Sequence, residues 1–122
     1  MKISIDQVEP YCTKDGSLVR ELIRPEKDER AHVSLAEATV VPGAQTRMHI
    51  HEKSQEIYHI TQGSGVMSLG TEDFRIGEGD SILIPAGTRH SVRNTGLEPL
   101  KILCFCSPAY THEDTVLLEP DF

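Results

Sequence analysis

The sequence predicts an all-β domain, a sandwich or barrel of short antiparallel strands, and three observations carry that prediction. Gly, Pro and Asn punctuate the chain at short intervals from Pro42 onward, at PG, QGSG, LGTED, GEGD, PAGT, NTG and CSP. Segments rich in Val, Ile, Leu and Thr fill the intervals, as strands bounded by turns require. No stretch of roughly 12 residues has the apolar spacing of an amphipathic helix.

Taken in order, residues 1–30 form an N-terminal arm of strand and loop, in which GSLVRELI places apolar side chains at Leu18, Leu22 and Ile23. The segment 25PEKDERAH32 can hold a helical turn. SLAEATVV, residues 34–41, is the first barrel strand. In EIYHIT, alternation puts Glu56, Tyr58 and Ile60 on one face and Ile57 and His59 on the other; His59 is therefore a packed or exposed residue. GVMSL and DSILIP follow, the latter aiming Ile82 and Ile84 inward. Pro85 and Gly87 in PAGT make a turn, after which His90, Val92 and Asn94 share a face of HSVRN. LKILCF closes the series, and THEDT in the tail can form a further turn. With no repeat, low-complexity tract or linker, residues 1–122 read as one domain, its core at 31–107 and its tail at 108–122.

Charge narrows the partners. The chain carries 12 basic and 19 acidic residues, a net −7 without a basic stripe, which argues against nucleic acid and anionic membrane. MKISIDQVEPY lacks the charged start and apolar core of a signal peptide, so the expected location is the cytoplasm. Cys12, Cys104 and Cys106 are an odd set without CxxC spacing, which fits reduced thiols. Cys104 and Cys106 fall on one strand face, where packing is their expected role.

The chemistry concentrates in HIHEKSQE. His49 and His51 lie about 6.6 Å apart along one strand face, so both rings can reach one ion. Glu56 returns from the next strand. Two imidazoles and a carboxylate form a facial set with open coordination positions, suited to Mn, Fe, Co, Ni, Cu or Zn rather than Ca or Mg.

The wider pattern is more specific. Residues 43GAQTRMHIHEKSQEIYHITQG63 have the form G-x5-H-x-H-x4-E-x6-G, and 79GDSILIPAGTRHSVRN94 the form G-x5-P-x-G-x2-H-x3-N. Together they resemble the two motifs of the cupin superfamily, at the short spacing of its small single-domain members of the mannose-6-phosphate isomerase-like and oxalate decarboxylase-like kind. The resemblance implies a single antiparallel jelly-roll barrel holding a divalent transition metal, manganese or iron first, on His49, His51, Glu56 and His90. The tail 107SPAYTHEDTVLLE119 is similar to the ending of small bacterial and archaeal cupins whose sites resemble those of oxalate decarboxylases.

Around that site, Arg47 faces inward with His49 if the strand is regular there, and Gln45 two residues earlier does the same. Arg47 either clamps an anionic substrate such as oxalate or a 2-oxo acid, or reaches solvent at the barrel mouth. Tyr58, on the face of Glu56, is either a proton donor in the cavity or a core tyrosine. Ile60, Ile82, Ile84 and Val92 are expected to make the rest of the pocket apolar. His112, with Glu113 and Asp114, either caps the barrel mouth or supplies a catalytic group. The functional expectation is a metal-dependent enzyme of lyase, dioxygenase or isomerase type acting on a small carboxylate or sugar; the alternative is a binding or sensing module without turnover. The resemblance further implies a homodimer, with the arm GSLVRELI as an exchangeable edge.

Overall fold

A computed structural model of the chain describes residues 1–118, so the tail residues 119–122 lie outside the described part. Eleven strands follow one another: β1 (Tyr11–Cys12), β2 (Leu18–Ile23), β3 (Ser34–Val40), β4 (His49–His51), β5 (Gln55–Gln62), β6 (Ser64–Leu69), β7 (Glu72–Gly77), β8 (Ser81–Ile84), β9 (His90–Asn94), β10 (Leu100–Ser107) and β11 (Thr115–Leu117). They form a six-stranded sheet ordered β1-β2-β3-β10-β5-β8 and a five-stranded sheet ordered β11-β4-β9-β6-β7. Every described pairing is antiparallel. The two sheets bury their inner faces against each other, since one core cluster joins Ile60, Ile84 and Ile102 of the first to Met67, Ile76 and Val92 of the second. The architecture is the expected jelly roll.

The strands expected from composition are all present. Burial along β5 alternates strictly from Gln55 to Thr61, with Glu56, Tyr58 and Ile60 inside and Ile57 and His59 outside. His59 accordingly meets Ser81 Oγ at 2.8 Å on the exterior. The glycines expected at turns, Gly43, Gly63, Gly79 and Gly87, all take positive φ, the conformation in which only glycine is unstrained.

Residues 25–27 make the expected turn, with the Lys27 and Asp28 N–H groups both donating to the Arg24 carbonyl at 3.0 and 3.3 Å. Three features differ from expectation. A single 3-10 turn forms at Ile5–Gln7. The tail contributes a strand, β11, too short to carry a periodicity, which pairs with β4. In β2 the buried positions are Val19 and Glu21, whereas Leu18 is exposed. β2 pairs with β3 of its own chain, with a bulge between Glu21 and Ile23, so the arm completes its own sheet. The outer face of that sheet carries an apolar row, because Phe105 pairs with Ile57 and Ile57 with Leu83, and all three are exposed. No helix among the described residues is long and apolar enough to cross a membrane.

Candidate metal centre

Strand pairing assembles the centre. β4 turns His49 and His51 inward with Ile50 between them, and the register of β4 with β9 sets His90 directly opposite His49. Ligating nitrogens of these three buried rings all lie within 4.8 Å of one another. Glu56 reaches them from the other sheet, its Oε1 3.1 Å from His51 Nε2 and 3.5 Å from His90 Nε2. The turn that carries the chain from β4 to β5 is pinned by Asp114, whose carboxylate oxygens accept from the Lys53 and Ser54 N–H groups at 2.8 and 3.0 Å. Tail residue Asp114 thereby fixes where Glu56 enters the barrel.

The outer nitrogens of the rings decide what the inner ones can do. His49 Nδ1 lies 2.7 Å from the Arg47 carbonyl and His90 Nδ1 2.9 Å from the Thr88 carbonyl. A carbonyl only accepts, so both rings carry their proton on Nδ1. His51 Nδ1 lies 3.1 Å from Thr115 Oγ1, and that hydroxyl already donates to the Thr111 carbonyl at 3.0 Å. It can only accept from His51. In their neutral form all three rings therefore present bare Nε2 lone pairs to a common point, beside an acceptor carboxylate.

This arrangement is unsatisfied by itself. Glu56 Oε1 and His90 Nε2 are buried without a hydrogen-bond partner, the sort of orphaned pair that folded chains avoid. Burial, reinforced by His90, brings His49 down to about 4, so near neutrality its ring is uncharged. For Glu56, burial raises the carboxyl, and donation from His51 and His90 would more than reverse this, to about 2. Such donation needs an imidazolium, protonated on both nitrogens, because the Nδ1 protons are already committed to the carbonyls and to Thr115. With the rings neutral, as metal ligation requires, a cation satisfies all four acceptors. The three imidazoles fit a divalent transition metal in ligand type, burial and tautomer.

Thr115 illustrates how far this organisation extends. Thr115→Val keeps the shape but removes the acceptor that holds His51 Nδ1–H. Metal affinity should fall by about 10–100-fold, measured by competition with a coloured chelator. Thr115→Ser should restore it, whereas a purely steric role would make valine the milder change.

Beyond the histidines the cavity encloses about 50 Å³, room for a few water-sized groups. Tyr58 lines it, buried, with its ring 5.9 Å from that of His90. Burial, with Glu56 adding to the effect, pushes the Tyr58 hydroxyl well above its ordinary range, so it stays protonated. Cys106 also lines the cavity and its thiol points at Glu56 Oε2, 3.4 Å away; Cys104 lies beside it on the same wall. These cysteines face the centre as well as packing the strand.

Several expected neighbours are elsewhere. Arg47 and Gln45 are exposed and do not line the cavity. Period 2 fails there because β4 begins only at His49, and Thr46 is the buried residue, held by its N–H to the Val92 carbonyl and its Oγ1 to the Val92 N–H. Arg47 still serves the site through its carbonyl on His49. Ile60, Ile82, Ile84 and Val92 point inward as expected, but they pack in the core and do not line the cavity. The open volume arises where β3 contributes the small residues Ser34, Ala36 and Ala38. His112 is exposed and outside the cavity, its Nδ1 3.0 Å from the Tyr110 hydroxyl. Tyr110 itself lines the cavity, its ring 5.7 Å from that of His51 and its hydroxyl 3.1 Å from Thr13 Oγ1.

Sequence reasoning missed Asp15. Its Oδ1 accepts from both the N–H and Oγ of Ser17, at 2.9 and 2.7 Å, which directs Oδ2 to within 3.7 Å of His49 Nε2. The available signal was the Asp-Gly-Ser turn, whose spacing permits this side-chain capture of the backbone. Glu21 was missed as well; it shares the buried face of β2 with Val19.

A family model described as "Cupin domain" matches residues 36–106. An uncharacterized protein of Methanocaldococcus jannaschii is 48% identical over 119 residues, covering 98% of this chain and 95% of that one. A mannose-1-phosphate guanylyltransferase of Klebsiella pneumoniae is 34% identical over 79 residues, which span 65% of this chain and 17% of that protein. Among solved structures, a Thermotoga maritima protein described as a predicted oxalate decarboxylase superposes with a TM-score of 0.79 at 25% identity, covering 88% of this chain and 99% of its own.

Proposed function

The chain belongs to the cupin domain family, and from that premise we propose that it is a metal-dependent enzyme acting on a small oxygen-rich molecule. His49, His51, His90 and Glu56 hold the metal, with manganese or iron the first expectation and nickel, zinc, cobalt or copper the others. The observation that carries this reading is the convergence of three Nδ1-protonated imidazoles and one carboxylate, four acceptors without a donor among them. The similarity to a protein described as a predicted oxalate decarboxylase supports the enzyme reading.

When bound, the metal supplies Lewis-acid polarisation of a ligand oxygen. The remaining functions fall to side chains. Burial of the three rings, none more than 4% exposed, excludes bulk water and strengthens each electrostatic contact. Tyr58, kept protonated, can donate a hydrogen bond into the cavity. Tyr110, bound to Thr13 across the mouth, closes it.

Protein purified without a metal-affinity tag should contain about one equivalent of a transition metal. The loaded protein should turn over at least one member of a panel of small carboxylates and sugars, followed by carbon-13 NMR. Absence of metal, even after reconstitution, would sink the reading. Metal without turnover would leave a binding module, the alternative expected from the sequence.

A further inference from the structure

The walls of the cavity carry a charge that bears on what can enter. Asp15, Glu21 and Glu56 line it, and neither lysine nor arginine does among the described residues. Asp15 is 12% exposed at its side chain and Glu21 6% exposed overall. The neighbouring cations lie outside the cavity lining. Arg24 and Lys27 share with Glu21 and Tyr11 a separate outer cleft, where Lys27 Nζ donates to the Glu21 carbonyl, and Lys14 Nζ is engaged by the His112 and Thr115 carbonyls at 3.1 and 2.8 Å. Arg47, expected as an anion clamp, is outside.

A divalent ion balances two of the three carboxylates and leaves one in excess. A dianion would therefore meet net negative charge in a region of low dielectric, with no guanidinium or ammonium to receive its second carboxylate. A neutral ligand bearing hydroxyl groups meets the reverse situation. Its oxygens can face the metal while its O–H groups donate to Asp15 Oδ2, aimed at the centre by Ser17, and to Glu21, whose Oε1 is oriented by the Tyr11 hydroxyl at 2.7 Å.

We infer that the site selects neutral, hydroxyl-donating oxygen chelators over dicarboxylates, with Asp15 and Glu21 as the specificity-determining residues. The inference rests on the metal reading above and names its substrate class. Small size is a further requirement, since the cavity holds about 50 Å³.

The test uses the full chain loaded with zinc, which is redox-inert, and two probes of equal chelate bite: oxalate, a dianion without donors, and glycolamide, which chelates through its hydroxyl and carbonyl oxygens, stays neutral and keeps its O–H to donate. Titration calorimetry compares wild type with Asp15→Asn/Glu21→Gln. In the double variant oxalate should bind at least tenfold more tightly and glycolamide about tenfold more weakly. Asp15→Asn alone, which keeps the amide oxygen for Ser17, should move both in the same directions by a smaller factor, and serves if the double variant does not fold. Oxalate affinity that is unchanged or lower in the variants overturns the inference, and so does an unchanged glycolamide affinity. Failure of the wild type to take up zinc overturns both this inference and the metal reading, whereas zinc uptake with the wrong probe response overturns this one alone.

Discussion

His90→Ala protein should bind transition metal at least about a hundredfold more weakly than wild type, and a metal-dependent rise in its melting temperature should almost disappear. A four-ligand site contributes on the order of 10–16 kcal/mol of apparent binding energy, so one ligand carries about 3 kcal/mol, or two orders of magnitude. At a metal concentration 100 times its Kd the wild-type fold gains about 2.7 kcal/mol by linkage, which for a domain of this size is a shift of about 10 °C. The variant, at the same concentration, gains about 0.4 kcal/mol and shifts by 1–2 °C on the same relations, roughly. Differential scanning calorimetry with and without zinc reads both values. A variant that keeps the full shift would mean that the ion, if one binds, is held elsewhere. His90 is the decisive position because it is fully buried, with no exposed surface, and because its Nε2 is one of the two orphaned atoms at the centre. No solvent-held alternative can replace it without water entering the barrel.

How much of this was legible in the sequence depends on the length over which strand periodicity holds. Inside a strand it was reliable: His49 with His51, Glu56 with Tyr58 and Ile60, and His90 with Val92 and Asn94 all share faces as the alternation required. Beyond the end of a strand it failed. Arg47 and Gln45 precede the start of β4, where the backbone makes a bridge to Arg93 at Gln45 and then leaves the ladder, so the alternation cannot be extended to them. Periodicity also gives a face without giving a depth. Ile60, Ile82, Ile84 and Val92 were correctly placed inward, yet they pack in the core without lining the cavity, whose wall takes the small residues Ser34, Ala36 and Ala38 from β3. Asp15 belongs to no strand, and its position depends on contacts made by the assembled sheet, including the Arg47 N–H to its own carbonyl at 2.8 Å. Such a contact between distant loops has no period to betray it.

Gly65 is the other position from which a large effect is expected. The motif glycines drew notice because turns need them, whereas Gly65 lies inside β6, at a position any residue could occupy by backbone conformation. Its neighbours forbid a side chain. A Cβ there would stand 2.4 Å from the Arg93 carbonyl oxygen, 3.3 Å from the carbonyl carbon and 3.2 Å from Leu100 Cδ2. Neither group can yield, because the carbonyl belongs to the backbone of β9 and Leu100 is fully buried. β9 must therefore move, and it carries His90 three residues from Arg93. Gly65→Ala should destabilise the fold by about 2–4 kcal/mol, near the upper range for overpacking, and lower the melting temperature by about 10 °C. Its metal affinity should fall as well, since the pairing of Leu69 with His90 lies on the same β6–β9 ladder. Gly77→Ala supplies the contrast. That strand glycine would meet nothing within 4 Å, so alanine should be neutral or stabilise by up to about 1 kcal/mol through the unfolded chain. If both substitutions prove equally harmless in urea titrations, β9 is more compliant than this packing allows, and the rigid placement of His90 against His49 would have to come from the metal itself.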